Sequence, residues 1–173
     1  MQVKNILVST YKKDGLVQFI KELLKIHDAT ILSTGGTARL LRSDGINVKD
    51  VSDFTGAPEL FNGRIKTLHP RIEGGILFRR SNANDVKEAE ENDIESIDMV
   101  VCNLYPFEEA ISDPNISLDD ALEMIDIGGP TMIRAAAKNF KDVIVVSRPD
   151  QYENILKELK EKGGEISLET RMT

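Results

Sequence analysis

Two kinds of hydrophobic pattern alternate along this chain. Ile6-Leu7-Val8-Ser9 is a continuous apolar run, the pattern of a strand buried on both faces. After a polar turn from Thr10 to Asp14, Leu16, Phe19, Ile20, Leu23 and Leu24 recur on one helical face, with Lys21, Glu22 and Lys25 opposite. Thr30-Ile31-Leu32-Ser33 predicts a second strand, then a short helix ending near Gly45 and a weaker strand from Val48 to Val51. Met99-Val100-Val101-Cys102 predicts a central strand that stops at Tyr105-Pro106, and Val143 to Val146 a last one. Between them, Asn82 to Asn92 reads as an exposed charged helix, and Ser117-Leu118-Asp119-Asp120 as a capping box opening a helix through Met124. Pro130 suits the first turn of an Ala-rich helix running to Asn139, and Tyr152 to Leu159 is amphipathic again. Strands alternating with amphipathic helices predict an α/β protein: a Rossmann-like parallel sheet with helices on both faces.

Periodicity fails in two places. The connection from Ser52 to Arg71 holds Gly56, Pro58, Gly63 and Pro70 and concentrates Arg64, Lys66, His69 and Arg71; loops this long inside a compact domain are usually functional or disordered. Gly74-Gly75 then opens a further apolar run, Ile76-Leu77-Phe78. The tail from Glu161 to Thr173 contains Gly163-Gly164 and no core signal, so residues 1–160 read as one domain and 161–173 as a linker or the truncated start of a second. A length of 173 residues fits that division.

Composition narrows the partners. A formal net charge of -7 opposes binding of long polyanions, so an anionic ligand must be small and held by a local positive field. Trp is absent and aromatics are sparse, which argues against stacking platforms for nucleic acid. One cysteine forms no internal disulfide and suits a reducing cytoplasm, the expected location. Met1 leads straight into a strand-like run without a signal pattern, and no apolar run has membrane-spanning length. His27, His69 and Cys102 make no metal ligand set, so neither metal nor cofactor is expected.

The strongest chemical signal lies between Ile31 and Arg42. A strand passes through Ser33-Thr34-Gly35-Gly36-Thr37 into a helix, which makes a patch of main-chain N–H groups at a positive helix end, suited to phosphate or carboxylate. Thr34 and Thr37 can add hydroxyl donors; the same stretch also reads as an ordinary βα turn with Thr37 as N-cap. In parallel sheets, ligands bind beyond the carboxyl ends of the strands. The loops there carry Ser9 with Lys13, Thr34 to Thr37, Arg64 to Thr67, Asn103 with Tyr105, and Asp126 to Thr131.

Five blocks carry a resemblance: Ser33-Thr34-Gly35-Gly36-Thr37-Ala38, Gly63-Arg64-Ile65-Lys66-Thr67-Leu68-His69-Pro70, Cys102-Asn103-Leu104-Tyr105-Pro106-Phe107, Ile125-Asp126-Ile127-Gly128-Gly129-Pro130-Thr131 and Arg134-Ala135-Ala136-Ala137-Lys138-Asn139. In order and wording they resemble the N-terminal IMP cyclohydrolase domain of the bifunctional purine biosynthesis enzymes. The resemblance implies a methylglyoxal-synthase-like fold and the dehydrative closure of formyl-AICAR (FAICAR) to IMP. It implies chemistry at Lys66, Tyr105, Asp126 and Lys138, and nucleotide contacts at Ser9, Lys12, Lys13, Thr34, Gly35, Gly36, Thr37, Arg64, Ile65, Thr67, Cys102, Asn103, Ile127 and Gly128. Asp126 would accept or orient the N–H proton, and the two lysines would stabilise the oxyanion and the departing hydroxyl. Tyr105 would hold the formyl group or relay a proton to Lys138. A homodimer and an AICAR transformylase domain in the full-length protein are implied as well, with Ile166 to Arg171 resembling the crossing into that domain.

The chain departs from the family where Ser-Val-Ser-Asp-Lys-Thr-Gly is common: here Ser9-Thr10-Tyr11-Lys12-Lys13-Asp14-Gly15 stands. Glu73 and Phe140 replace frequent histidines. Two other readings share the fold, a methylglyoxal-forming lyase and a nucleotide-binding regulatory domain without catalysis. Neither accounts for the Arg64–Pro70 loop together with Asp126–Thr131 and Lys138.

Overall fold

The computed structural model of the protein describes residues 3–173, so Met1 and Gln2 lie outside the described residues. Five strands, β1 (Asn5–Thr10), β2 (Thr30–Ser33), β3 (Val48–Asp50), β4 (Met99–Asn103) and β5 (Ile144–Val146), form one sheet in the order β3-β2-β1-β4-β5. All four pairings are parallel, with Ile6 opposite both Ile31 and Met99 and Val100 opposite Val145. The α/β class and parallel sheet read from the apolar runs are therefore the fold observed.

Strand alternation divides the core. Ile6 and Val8 face one side, where they are buried with Phe19, Ile20 and Leu23 of α1 (Leu16–Ile26), Ala38 and Leu41 of α2 (Gly35–Ser43), and Ile155 and Leu159 of α9 (Tyr152–Glu161). Leu7 faces the other, with Val51 and Phe54 of α3 (Val51–Thr55), Ile72 and Ile76 of α4 (Pro70–Leu77), and Met132, Ala135 and Ala136 of α8 (Gly128–Lys138). Helices thus cover both faces, as a parallel sheet requires. Three more helices, α5 (Ala83–Glu91), α6 (Phe107–Ile111) and α7 (Leu118–Glu123), run along the surface; Ser117 caps α7 by accepting from the Asp120 N–H at 3.0 Å.

Three stretches differ from the pattern-based reading. The unpatterned connection is shorter than Ser52 to Arg71, because α3 occupies its start and α4 its end. Ile76-Leu77 completes α4, whose Gly75 lies against the chain before β4: a Cβ there would stand 2.5 Å from the Glu95 carbonyl oxygen. Helix–strand contact that close excludes any side chain, so the glycine pair marks packing. The tail folds back. Ile166 is 4% exposed in the first core cluster, Ser167 caps α10 (Leu168–Arg171), and Arg171 donates to the Lys141 carbonyl at 2.7 Å. A single apolar residue after two glycines produces no periodicity, which is why the tail carried no core signal.

Candidate active site

Strand order reverses direction between β1 and β4, and at their carboxyl ends a cleft of about 890 Å³ opens. Four segments wall it, each fixed by local chemistry.

The loop after β1 is clamped by Asn103, the last residue of β4. The Tyr11 and Lys12 N–H groups both donate to Asn103 Oδ1 at 2.8 Å, and Asn103 Nδ2 donates to the Lys12 carbonyl at 2.9 Å. Asn103 therefore spends its amide on the protein. Lys13 Nζ folds back onto the carbonyls of Thr10 and Tyr11, at 3.3 and 3.1 Å, on the cleft rim.

The second wall is the start of α2. The helix begins at Gly35, with Thr34 as N-cap, so Thr37 sits in the first turn and is not the cap. Its buried hydroxyl donates to the Thr10 carbonyl at 3.1 Å and accepts from the Thr10 N–H at 3.3 Å, stapling α2 to β1. The Thr34 hydroxyl donates to Glu59. Both hydroxyls expected as ligand donors are thus engaged within the protein, and the first-turn N–H groups of Gly35, Gly36 and Thr37 remain as the anion donors. Gly35 has φ 57, a conformation that favours glycine.

The third wall is a strained reversal. Leu60 and Ile65 exchange main-chain hydrogen bonds at 3.1 and 3.3 Å, and between them Phe61, Asn62 and Gly63 hold φ of 54, 53 and 86. Left-handed backbone is costly for a bulky residue such as Phe61. The reversal presents Arg64 and Lys66 to the cleft. A Cβ on Gly63 would stand 2.6 Å from Lys66 Cε, and one on Gly35 3.7 Å from Lys66 Nζ, so the ammonium is seated between two glycines. Arg64 pairs with Glu123, the last residue of α7, which raises the guanidinium above its ordinary range and lowers the carboxyl below its own.

The fourth wall precedes α8. Asp126 accepts the Gly129 N–H at 2.8 Å, capping the helix from outside. A Cβ at Gly129 would collide with the Asp126 carboxylate, and one at Gly128 would lie 2.7 Å from Thr67 Oγ1. Behind this wall Cys102 is buried, and burial together with the Asp126 charge pushes its thiol up to about 12. A thiol so held stays protonated and is no nucleophile.

The cleft brings together Ser9, Lys13, Thr34, Gly35, Gly36, Thr37, Arg64, Lys66, Thr67, Asn103, Tyr105, Asp126, Ile127 and Gly128. Four expected site residues do not line it. Lys12 contributes main-chain bonds to Asn103, Ile65 pairs with Leu60, and Cys102 sits in the core. Lys138 is exposed at the opposite end of the 11-residue α8, roughly 16 Å along its axis from Asp126. Sequence reasoning passed over Tyr11, whose ring lies 4.3 Å from that of Tyr105 and turns toward the cleft, although its departure from the family pattern was visible. Glu123 gave no signal at all.

Residues 15–131 match the MGS-like domain family. The chain belongs to that family. Residues 136–173 match the AICARFT/IMPCHase bienzyme family. The bifunctional purine biosynthesis protein PurH of Prochlorococcus marinus (strain MIT 9211) is 53% identical over 93% of this MGS-like chain and 31% of its own length; that of Trichodesmium erythraeum (strain IMS101) is 53% identical over 95% and 32%. The chain therefore spans about a third of the length of the curated relatives it matches. Among solved structures, ForH superposes with a TM-score of 0.82 at 36% identity, covering 99% of this chain and 88% of that one.

Proposed function

We propose that the chain is an IMP cyclohydrolase, closing FAICAR to IMP with loss of water. The observation that carries this reading is the meeting of Lys66, Asp126 and Tyr105 beside the free N–H groups of Gly35, Gly36 and Thr37.

Ring closure joins a carboxamide nitrogen to a formyl carbon of the same molecule, so positioning supplies much of the rate; near-attack geometry in intramolecular reactions reaches effective molarities of ~10⁵–10⁸ M. Main-chain amides at the head of α2, with Lys13 on the rim, hold the phosphate and set the distance to the base. The attacking nitrogen then gives up one proton, which Asp126 receives or orients. Negative charge on the formyl oxygen falls to the Lys66 ammonium, a donor fixed before the reaction begins. That oxygen leaves as water with the protons lost by the carboxamide and formamido nitrogens. Tyr105 holds the formamido rotamer. Lys138 stands a helix length away and takes no part within this chain's cleft.

Several further parts of the proposal rest on the relatives. They are bifunctional and about three times as long, which supports a transformylase partner domain in the full-length protein. A homodimer and a cytoplasmic location belong to the same reading; among the described residues no helix is long and apolar enough to cross a membrane. The test is the absorbance change on adding FAICAR to the purified chain. Conversion to IMP is expected. Binding of IMP without turnover would indicate a regulatory domain, and methylglyoxal from dihydroxyacetone phosphate a lyase.

A further inference from the structure

The cradle at the head of α2 is short of positive charge for the group it would hold. A phosphate monoester carries a charge of about −1.5 to −2 at pH 7, and the chain itself is acidic, with a formal net charge of -7. One carboxylate already stands at the helix head, where Glu59 accepts the hydroxyl of the N-cap Thr34. Lys66 is committed to the formyl oxygen, and Lys13 Nζ donates to the carbonyls of Thr10 and Tyr11 at 3.3 and 3.1 Å. A phosphate on the Gly36 N–H therefore needs a further cation within reach.

Arg39 stands there. It follows Gly36 by one helical turn, and its side chain runs back toward the start of α2, the direction long side chains take on a helix. A Cβ on Gly36 would lie 3.7 Å from Arg39 Nη2, so the guanidinium rests over the first turn, beside a glycine that lines the cleft. Gly36 puts no side chain between that guanidinium and the helix-end N–H groups. Arg39 is exposed and, among the described residues, makes no hydrogen bond or ion pair. Its neighbours are tied down: Arg42 binds Asp50 and the Val48 carbonyl, and Arg64 binds Glu123. The donors of Arg39 are thus available to a ligand.

We propose that Arg39 is a substrate-binding residue that grips the 5′-phosphate: its planar fork closes on the outer side of a phosphate whose inner side lies on the N–H groups of Gly35, Gly36 and Thr37. The assignment rests on the cyclohydrolase reading and deepens it, because it names the substrate class the cleft selects. A nucleoside 5′-monophosphate engages Arg39, and the uncharged nucleoside gives it nothing to bind.

The test separates phosphate from base. Arg39 holds nothing within the protein, so Arg39→Gln should melt with the wild type. Binding of IMP is read by calorimetry and that of inosine, its dephosphorylated counterpart, by ligand-observed NMR. Arg39→Gln should bind IMP about tenfold more weakly and inosine within about twofold of the wild type. Arg39→Lys, which keeps the charge and loses the fork, should fall between for IMP. In FAICAR turnover the KM of Arg39→Gln should rise about tenfold with kcat within about twofold, because the phosphate is gripped equally before and during ring closure. An IMP affinity within twofold of the wild type, or equal losses for IMP and inosine, overturns the role of Arg39 and leaves the cyclohydrolase reading standing. The expected loss for IMP alone, in a wild type that leaves FAICAR unchanged, overturns the cyclohydrolase reading and supports the phosphate role. A wild type that binds no IMP overturns both.

Discussion

The two edges of the sheet are built to opposite rules. At the amino-terminal edge a buried carboxylate is answered. Asp98, 4% exposed, accepts the N–H groups of Lys4 and Asn5 at 2.7 and 3.1 Å and pairs with Arg80 at 3.3 Å. Arg80 also donates to the Ile97 and Asp142 carbonyls, and Asn5 to that of Ser96 at 2.8 Å. At the carboxyl edge, helix-end N–H groups, an ammonium seated between glycines and a carboxylate face an open cleft. Charges at the first edge hold strands together; at the second, Lys66 and Asp126 line a cleft open to a ligand. Burial explains the contrast, since an unpaired charge inside costs far more than one at a wet rim.

Breaking the closed edge should have the largest effect. Asp98→Ala strands Arg80 beside two carbonyls and leaves two N–H groups without their acceptor, so unfolding in urea should show a loss of about 3–5 kcal/mol, with KM unchanged where the variant is folded. At the open edge, Lys66→Leu should instead leave stability within about 0.5 kcal/mol and lower kcat by about 10²–10³, while calorimetry still detects an IMP analogue. Gly36→Asp is milder: a Cβ there meets only Arg39 Nη2 at 3.7 Å, so the fold tolerates it. Its carboxylate would oppose the phosphate, and KM should rise by about tenfold or more, well beyond any fall in kcat. The smallest effect belongs to His27, at the closed end of α1, which burial holds below its ordinary 6.5. The unfolded chain then takes up the proton first, so stability falls as pH drops through about 6.5. Thermal melts should show that loss, on the order of 1–2 °C, and His27→Gln should flatten it.

The asymmetry was only partly legible in the chain. Apolar runs such as Ile6-Leu7-Val8 announced a parallel sheet because burial on both faces leaves no polar alternation to read. The glycine-rich turn at Gly35-Gly36 was visible because few residues other than glycine suit it. Its neighbours Thr34 and Thr37 looked like ligand donors because a sequence does not say that Glu59 and Thr10 hold their hydroxyls. Lys138 shows the complementary limit: a motif records which residues recur together, and only the fold shows that the 11-residue α8 carries Lys138 away from Asp126. Asp98 and Arg80 gave no signal, since a charge buried across about twenty residues of chain looks like any surface charge until it is folded.

A crystal structure of the chain with IMP tests most directly the claim that the carboxyl edge is the nucleotide site. The account predicts the phosphate on the N–H groups of Gly35, Gly36 and Thr37, with the purine between Lys66 and Asp126. A nucleotide seated elsewhere, for example in the groove between α4 and α5 lined by Arg71, Leu77 and Glu88, would contradict it.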